Sequence, residues 1–285
     1  MKHYLIITAT FLFYTLSLAQ RADFRTVIQK MNLKGKVQSI REISYLGDLE
    51  GKPILSKIDS TKDNCLYLFQ TDGNINSTTN YLTSGKVYIS EVFKYDTRGV
   101  LIEKSTSNNN NGKVNKTVIE YDSLYFKLKE TVIDNKGQII SQQIGKSIMK
   151  DSNNYTYLRS ERYNETQNFT FSYSDGGNLV YKVQESTSGY YLKFKYYYNS
   201  NNLLIRQTVE KVDRKPFSQQ EFEYDNKGNL TKLTEKVPYH IVSYTYEYNK
   251  QGDWIKRVAE TKRTGVNIGR QRNTKTVTIR EIKYL

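Results

Sequence analysis

The chain is poor in the residues that usually carry chemistry or covalent bracing. Among 285 residues there is one cysteine, Cys65, so no intramolecular disulfide can form and a two-cysteine metal or redox motif is excluded. Two histidines, His3 and His240, leave no His-rich metal site. Past Gln20 no apolar run reaches the length of a membrane-spanning helix. The glycines never form a phosphate-cradling loop that opens a helix, so nucleotide binding has no support and no cofactor is expected. Helical periodicity is nearly missing; only Ala22 to Asn32, with Phe24, Val27, Ile28 and Met31 on one side, predicts a short helix.

What is abundant is tyrosine, at 25 residues against 3 prolines. Tyrosine is favoured where a side chain must fit a pleated, half-buried surface, which points to strands. Lys and Arg exceed Asp and Glu by 43 to 29, a formal charge of +14. That balance favours acidic partners, an anionic polysaccharide for example, although the interspersed signs also suit a solvated strand surface. Met1-Lys2-His3, an apolar stretch from Tyr4 to Leu16 and the small residues Ser17 and Ala19 read as a secretory signal peptide over residues 1–19, cleaved after Ala19. The expectation is therefore an exported protein in the periplasm, at the cell surface or outside the cell, with one domain over residues 20–285 and no transmembrane helix.

Repeats organise that domain. The clearest copies are Tyr95-Asp96-Thr97-Arg98-Gly99-Val100-Leu101, Tyr224-Asp225-Asn226-Lys227-Gly228-Asn229-Leu230 and Tyr248-Asn249-Lys250-Gln251-Gly252-Asp253-Trp254. Weaker copies start at Phe69, Tyr173 and Tyr198, the last with Asn202 in place of glycine, and one near Met149 is degenerate. The period is about 25 residues. Gly35-Lys36-Val37, Gly85-Lys86-Val87 and Gly112-Lys113-Val114 form a second turn class between the anchors, so each unit is two strands. In each motif Asp or Asn opens the turn by bonding its own backbone and glycine takes the positive φ. Alternation at Tyr190, Leu192, Phe194, Tyr196 and Tyr198, and again at Tyr244, Tyr246 and Tyr248, gives a strand one aromatic face. The fold expected is all-β: an antiparallel meander of hairpins in an extended twisted or curled sheet. Ile40-Arg41-Glu42-Ile43 returns as Ile279-Arg280-Glu281-Ile282, marking either the two edges of one sheet or two strands that close on one another.

These Tyr-Asp-x-x-Gly-x-Leu copies resemble the YD repeats of RHS-type proteins, carried by many secreted proteins of the Bacteroidota. The resemblance covers Leu33 to Leu285, and its motifs are short and tolerant. In that family the repeats form long twisted sheets that can curl into a shell around a toxin domain. Here the resemblance implies an exported β scaffold and not a reaction.

Candidate chemistry is sparse. His240 has Ser243 nearby in the same strand but no converging acid, and reads as an incidental strand residue. Cys65 reads as a buried structural thiol. Asp225-Asn226-Lys227-Gly228-Asn229 lacks the alternating acids of a calcium loop, so no metal is expected. Aromatics interleaved with cations, Tyr191, Lys193, Tyr196, Tyr197 and Tyr198, are the candidate ligand contacts, suited to stacking on sugar rings; export argues against nucleic acid. The same tyrosines also serve as ladders that hold a sheet together. The reading is a non-enzymatic scaffold or binding protein whose partner is an anionic or neutral envelope polysaccharide or a protein. The alternatives are a secreted hydrolase using two carboxylates and an outer-membrane β-barrel.

Overall fold

A computed structural model of the chain describes residues 26–59, 64–121, 127–144, 148–151, 154–162, 165–174, 178–186, 189, 191–211, 216–236, 239–263 and 274–285. The expected signal peptide over 1–19 lies outside the described residues, as do Tyr190, Gly177 and the part of the expected helix before Thr26. What is described of that helix is one turn, α1 (Val27–Lys30). Thr26 and Gln29 form a reciprocal capping box at its start, and Asn32, at φ 55°, comes just after its end.

The strands are β1 (Val37–Gly47), β2 (Pro53–Ile58), β3 (Asn64–Phe69), β4 (Ile75–Tyr81), β5 (Val87–Tyr95), β6 (Leu101–Asn108), β7 (Lys113–Tyr121), β8 (Lys127–Asp134), β9 (Ile139–Ile144) and β10 (Ile148–Asp151). They continue as β11 (Asn154–Arg162), β12 (Glu165–Tyr173), β13 (Leu179–Ser186), β14 (Tyr191–Tyr198), β15 (Leu204–Glu210), β16 (Pro216–Tyr224), β17 (Leu230–Lys236), β18 (Tyr239–Tyr248), β19 (Trp254–Arg263) and β20 (Thr274–Tyr284). All pairings are antiparallel. β2 and β3 both pair with β1, and β9 and β10 both pair with β11, so each of these two couples is one interrupted strand. The 20 segments thus make a meander about 18 strands wide, as the hairpin spacing leads one to expect.

The meander curls until its ends meet. β20 pairs with β1 from Val37 to Leu46, while the other edge of β1 carries β2 and β3. Of the two readings of the Ile-Arg-Glu-Ile echo, the structure takes the second: Ile40 faces Ile282, Arg41 faces Glu281, Glu42 faces Arg280 and Ile43 faces Ile279. Antiparallel alignment of one motif with its own copy sets each cation against an acid. The ladder is thinnest on the far side, where β9 and β11 share the single pairing Gln143–Ser160.

One turn geometry recurs. In the turn after β5, Tyr95 pairs with Leu101 across five loop residues, a register shift precedes Tyr95, Asp96 N–H donates to Val100 O, and the Asp96 carboxylate accepts from Arg98 and Val100 N–H at 2.9 Å each. The turns after β14, β16 and β18 repeat it, and Asn202 takes φ 59° where the others place glycine. The turns holding Gly51 and Gly85 have the same backbone bonds, so they belong to the first class rather than a second. Gly112 closes a shorter loop, and Gly35-Lys36-Val37 makes no hairpin: it leads into β1, with Gly35 against the Tyr284 ring.

Because strands alternate, the turns after β3, β5, β14, β16 and β18 lie on one rim, opposite those holding Gly51 and Gly85, and tyrosines tie neighbouring turns together. The Tyr121, Tyr198, Tyr224 and Tyr246 hydroxyls donate to the carbonyls of Leu101, Leu179, Leu204 and Leu230 at 2.7–3.0 Å. Tyr248 and Tyr284 donate instead to the carboxylates of Asp225 and Asp253. The N-terminal segment crosses this rim: Ile28 N–H donates to Gly73 O, Asn32 Nδ2 to Lys227 O and Lys34 N–H to the Asp253 carboxylate. Ile28, Met31 and Leu33 there pack on Val37, Ile40 and Phe69.

The registers sort side chains into two faces. The inner face carries Ile40, Glu42, Phe93, Phe171, Leu192, Tyr196, Phe222, Leu233, Val242 and Arg280, all buried. The outer face carries cross-strand ion pairs, Lys94 and Lys116 with Glu103, Lys232 with Glu223 and Lys256 with Glu247, at 2.6–2.8 Å. Such a wall offers lipid no unbroken apolar band. Among the described residues no helix is long and apolar enough to cross a membrane.

Candidate functional site

β14 divides the tyrosine cluster between the two faces. Tyr196 points inward and is buried with Phe171 and Leu179, and burial pushes its phenol well above the usual range. Tyr198 sits at the rim, its hydroxyl spent on the Leu179 carbonyl. Tyr191, Lys193 and Tyr197 share the outer face by the alternation of a strand. The five candidates are therefore not one surface: three face outward, one faces the interior and one holds a turn.

Hairpin register brings two further residues to the outward three. Tyr181 on β13 lies opposite Lys195, and Arg206 on β15 lies opposite Tyr197. Tyr181 and Tyr197 are the exposed tyrosines here, at 42% and 37%. Lys193 Nζ sits 4.9 Å from the Tyr181 ring centroid and the Arg206 guanidinium 4.0 Å from that of Tyr197, both within cation–π range. Lys195 between them is held by Glu210 at 2.6 Å, a hydrogen bond that raises its ammonium pKa. The result is a strip of two amphipathic rings, each with a cation over it. Tyr181 and Arg206 escape inspection of the β14 sequence because they lie on other strands; counting out from the Tyr198–Leu204 turn places Arg206 beside Tyr197.

The other sequence candidates sit apart from this strip. His240 Nε2 is 3.3 Å from Glu235 Oε2 on the inner face, whereas Ser243 is exposed on the outer face, so the two cannot meet. Cys65 is buried opposite Glu42, four strands around the ring from His240. The Asp225 carboxylate serves its own turn: burial alone would raise its pKa, but N–H donors of Asn229 and Lys227 and the Tyr248 hydroxyl hold it below the usual range. Glu103 and Glu221 are lowered likewise, by Lys116 and Lys94 and by Lys236. Among the described residues no group of three His, Cys, Asp or Glu is placed to hold a metal ion.

No protein-family model matches the chain, and no curated protein matches it. Among solved structures, a porin-like protein from Bacteroides uniformis aligns over 87% of this chain and 96% of its own, at 12% identity and a TM-score of 0.31. The TcdB2-TccC3-Cdc42 complex aligns over 76% of this chain but 15% of its own, at 15% identity and a TM-score of 0.22. The chain is a β protein whose architecture rests on the strand pairing itself.

Proposed function

We propose that this is an exported, non-enzymatic β-repeat protein of the cell envelope, of the YD-repeat kind, that binds a polysaccharide on the outer face of β13–β15. The observation that carries the reading is the strip Tyr181, Lys193, Tyr197 and Arg206. Elsewhere on the outer face Lys94, Lys116, Lys232 and Lys256 pair with acids across strands, which satisfies them locally. Here two cations lie over exposed rings. Aromatic rings stack on the apolar faces of sugars while neighbouring cations donate to hydroxyl or carboxylate groups. Residues 1–19, read as a signal peptide, support export, and the net charge of +14 favours an acidic polymer. The carboxylates with shifted pKa, Glu103, Glu221 and Asp225, are pushed down, the opposite of what a general acid requires, which weighs against a two-carboxylate hydrolase.

The test is co-sedimentation of the purified protein with envelope polysaccharide at low and high salt. Wild type remains bound at high salt and the Tyr181→Ala/Tyr197→Ala variant binds at least about tenfold more weakly. Binding that salt abolishes, or that the double variant retains in full, rejects aromatic recognition at this strip.

A further inference from the structure

The inner face carries a second cluster, at the seam where β19, β20 and β1 meet. Arg280 on β20 donates from Nε to Glu42 Oε1 at 2.7 Å, and its guanidinium lies 3.4 Å from the ring centroid of Trp254. Arg257 on β19 lies 5.2 Å from the same ring and 5.8 Å from that of Tyr244, and donates from Nη2 to Thr278 at 3.4 Å. Each guanidinium has five N–H donors, and each spends one on these partners. Arg280 Nη1 and Arg257 Nε are buried with no partner at all. Glu42 is the one carboxylate paired with either group among the described residues, so two cations share one acid. The Arg280 side chain is 8% exposed.

A buried guanidinium with unused donors is costly, because desolvation favours its neutral form and each unpaired N–H forfeits a hydrogen bond. Burial does lower the pKa of Arg280, with Arg257 adding to the effect and Glu42 opposing it. A second acid would neutralise the pair, and none is described here. An arginine fork is shaped for the two oxygens of a carboxylate or the oxygens of a phosphate or sulfate. The flanking indole and phenol supply apolar walls that exclude water and strengthen such a contact.

We propose that Arg257 and Arg280, walled by Trp254 and Tyr244, form a binding site for an oxyanion that enters the interior of the ring, with Glu42 fixing Arg280 in place. The oxyanion supplies the missing negative charge and accepts the unused N–H groups. This site lies on the face opposite the Tyr181–Tyr197 strip, so either can fail without the other.

Trp254 is the sole tryptophan of the chain, which makes its emission a reporter at the site itself. The experiment titrates the whole protein with inorganic phosphate, sulfate or glucuronate at constant ionic strength set with sodium chloride. The expected result is a saturable change in Trp254 emission with at least one of them, weakened at least about tenfold in Arg257→Gln. Response to glucuronate would identify an acidic sugar as the source, and response to phosphate or sulfate alone a free tetrahedral anion. Arg257→Lys keeps the charge but not the fork and is expected to fall between; it also serves if Arg257→Gln loses its β-sheet circular dichroism. No response beyond that of chloride, or equal affinity in both variants and wild type, overturns the proposal.

Discussion

The two arcs of the ring are built from the same hairpin but differ in what they turn inward. From β4 to β9 the inner positions are mainly polar, Thr78, Asn80, Glu91, Lys104, Thr106, Asn115, Thr117, Glu130 and Gln143, with Ile89, Phe93, Ile119 and Val132 among them, and short polar links join them: Glu91 accepts from Thr78 and Thr106 and pairs with Lys104. From β12 to β19 they are mostly Phe171, Leu192, Phe194, Tyr196, Val209, Phe222, Leu233, Val242, Tyr244 and Tyr246, packed into clusters of neighbouring strands. The described turns of the first class share one geometry in both arcs, so turn chemistry can set those registers while the inner residues decide stability and ligand chemistry. The polar arc links many of its groups by hydrogen bonds and ion pairs; the aromatic arc carries more of the burial.

That contrast should show first in truncations. Phe171→Ala in the aromatic arc is expected to cost about 3–5 kcal/mol by denaturant unfolding, and Thr106→Ala in the polar arc under about 1 kcal/mol. Equal losses would mean that the arcs do not differ in packing. At the seam, Glu42→Gln leaves the Arg280 guanidinium without its acid and should cost about 3 kcal/mol, read in the same way. A loss within experimental error would show that this pair is not buried as described.

Alkaline titration reports tyrosine burial in both arcs without mutation. Burial pushes the phenols of Tyr121, Tyr224 and Tyr246 up to about 12, against an ordinary value near 10. The folded state thus holds these protons more tightly than the unfolded one. The stability they contribute is complete below about pH 10 and is lost as pH climbs towards 12. Phenolate absorbance should accordingly rise in two steps, exposed tyrosines first and these with unfolding; a single step near 10 would contradict their burial. A small effect is expected at one rim tie: Tyr224→Phe removes the 2.8 Å bond to Leu204 O and should cost about 1 kcal/mol.

Much of this is legible in the residues. The Tyr-Asp-x-x-Gly-x-Leu spacing marks the hairpins and their period, Asn202 in a glycine position reads as a left-handed residue and is one, and the aromatic alternation of β14 and β18 marks the inner face. Gly35-Lys36-Val37 misleads because a glycine after a helix and a glycine in a hairpin share a local sequence and differ only in the elements on either side. The tyrosine cluster of β14 splits because alternation assigns Tyr196 and Tyr197 to opposite faces, which composition does not register. Arg257, Arg280 and Trp254 are invisible as a group in the linear chain: their meeting depends on β20 closing on β1. The echo of Ile40–Ile43 in Ile279–Ile282 is the one signal that points there.

The closing of β20 on β1 is what makes an inner face, and amide hydrogen exchange tests it most directly. If β1 is paired on both edges, the amides of residues 39–43 and 277–282 exchange as slowly as those of β17 and β18. Fast exchange along either segment, as for an unpaired edge strand, would contradict the ring.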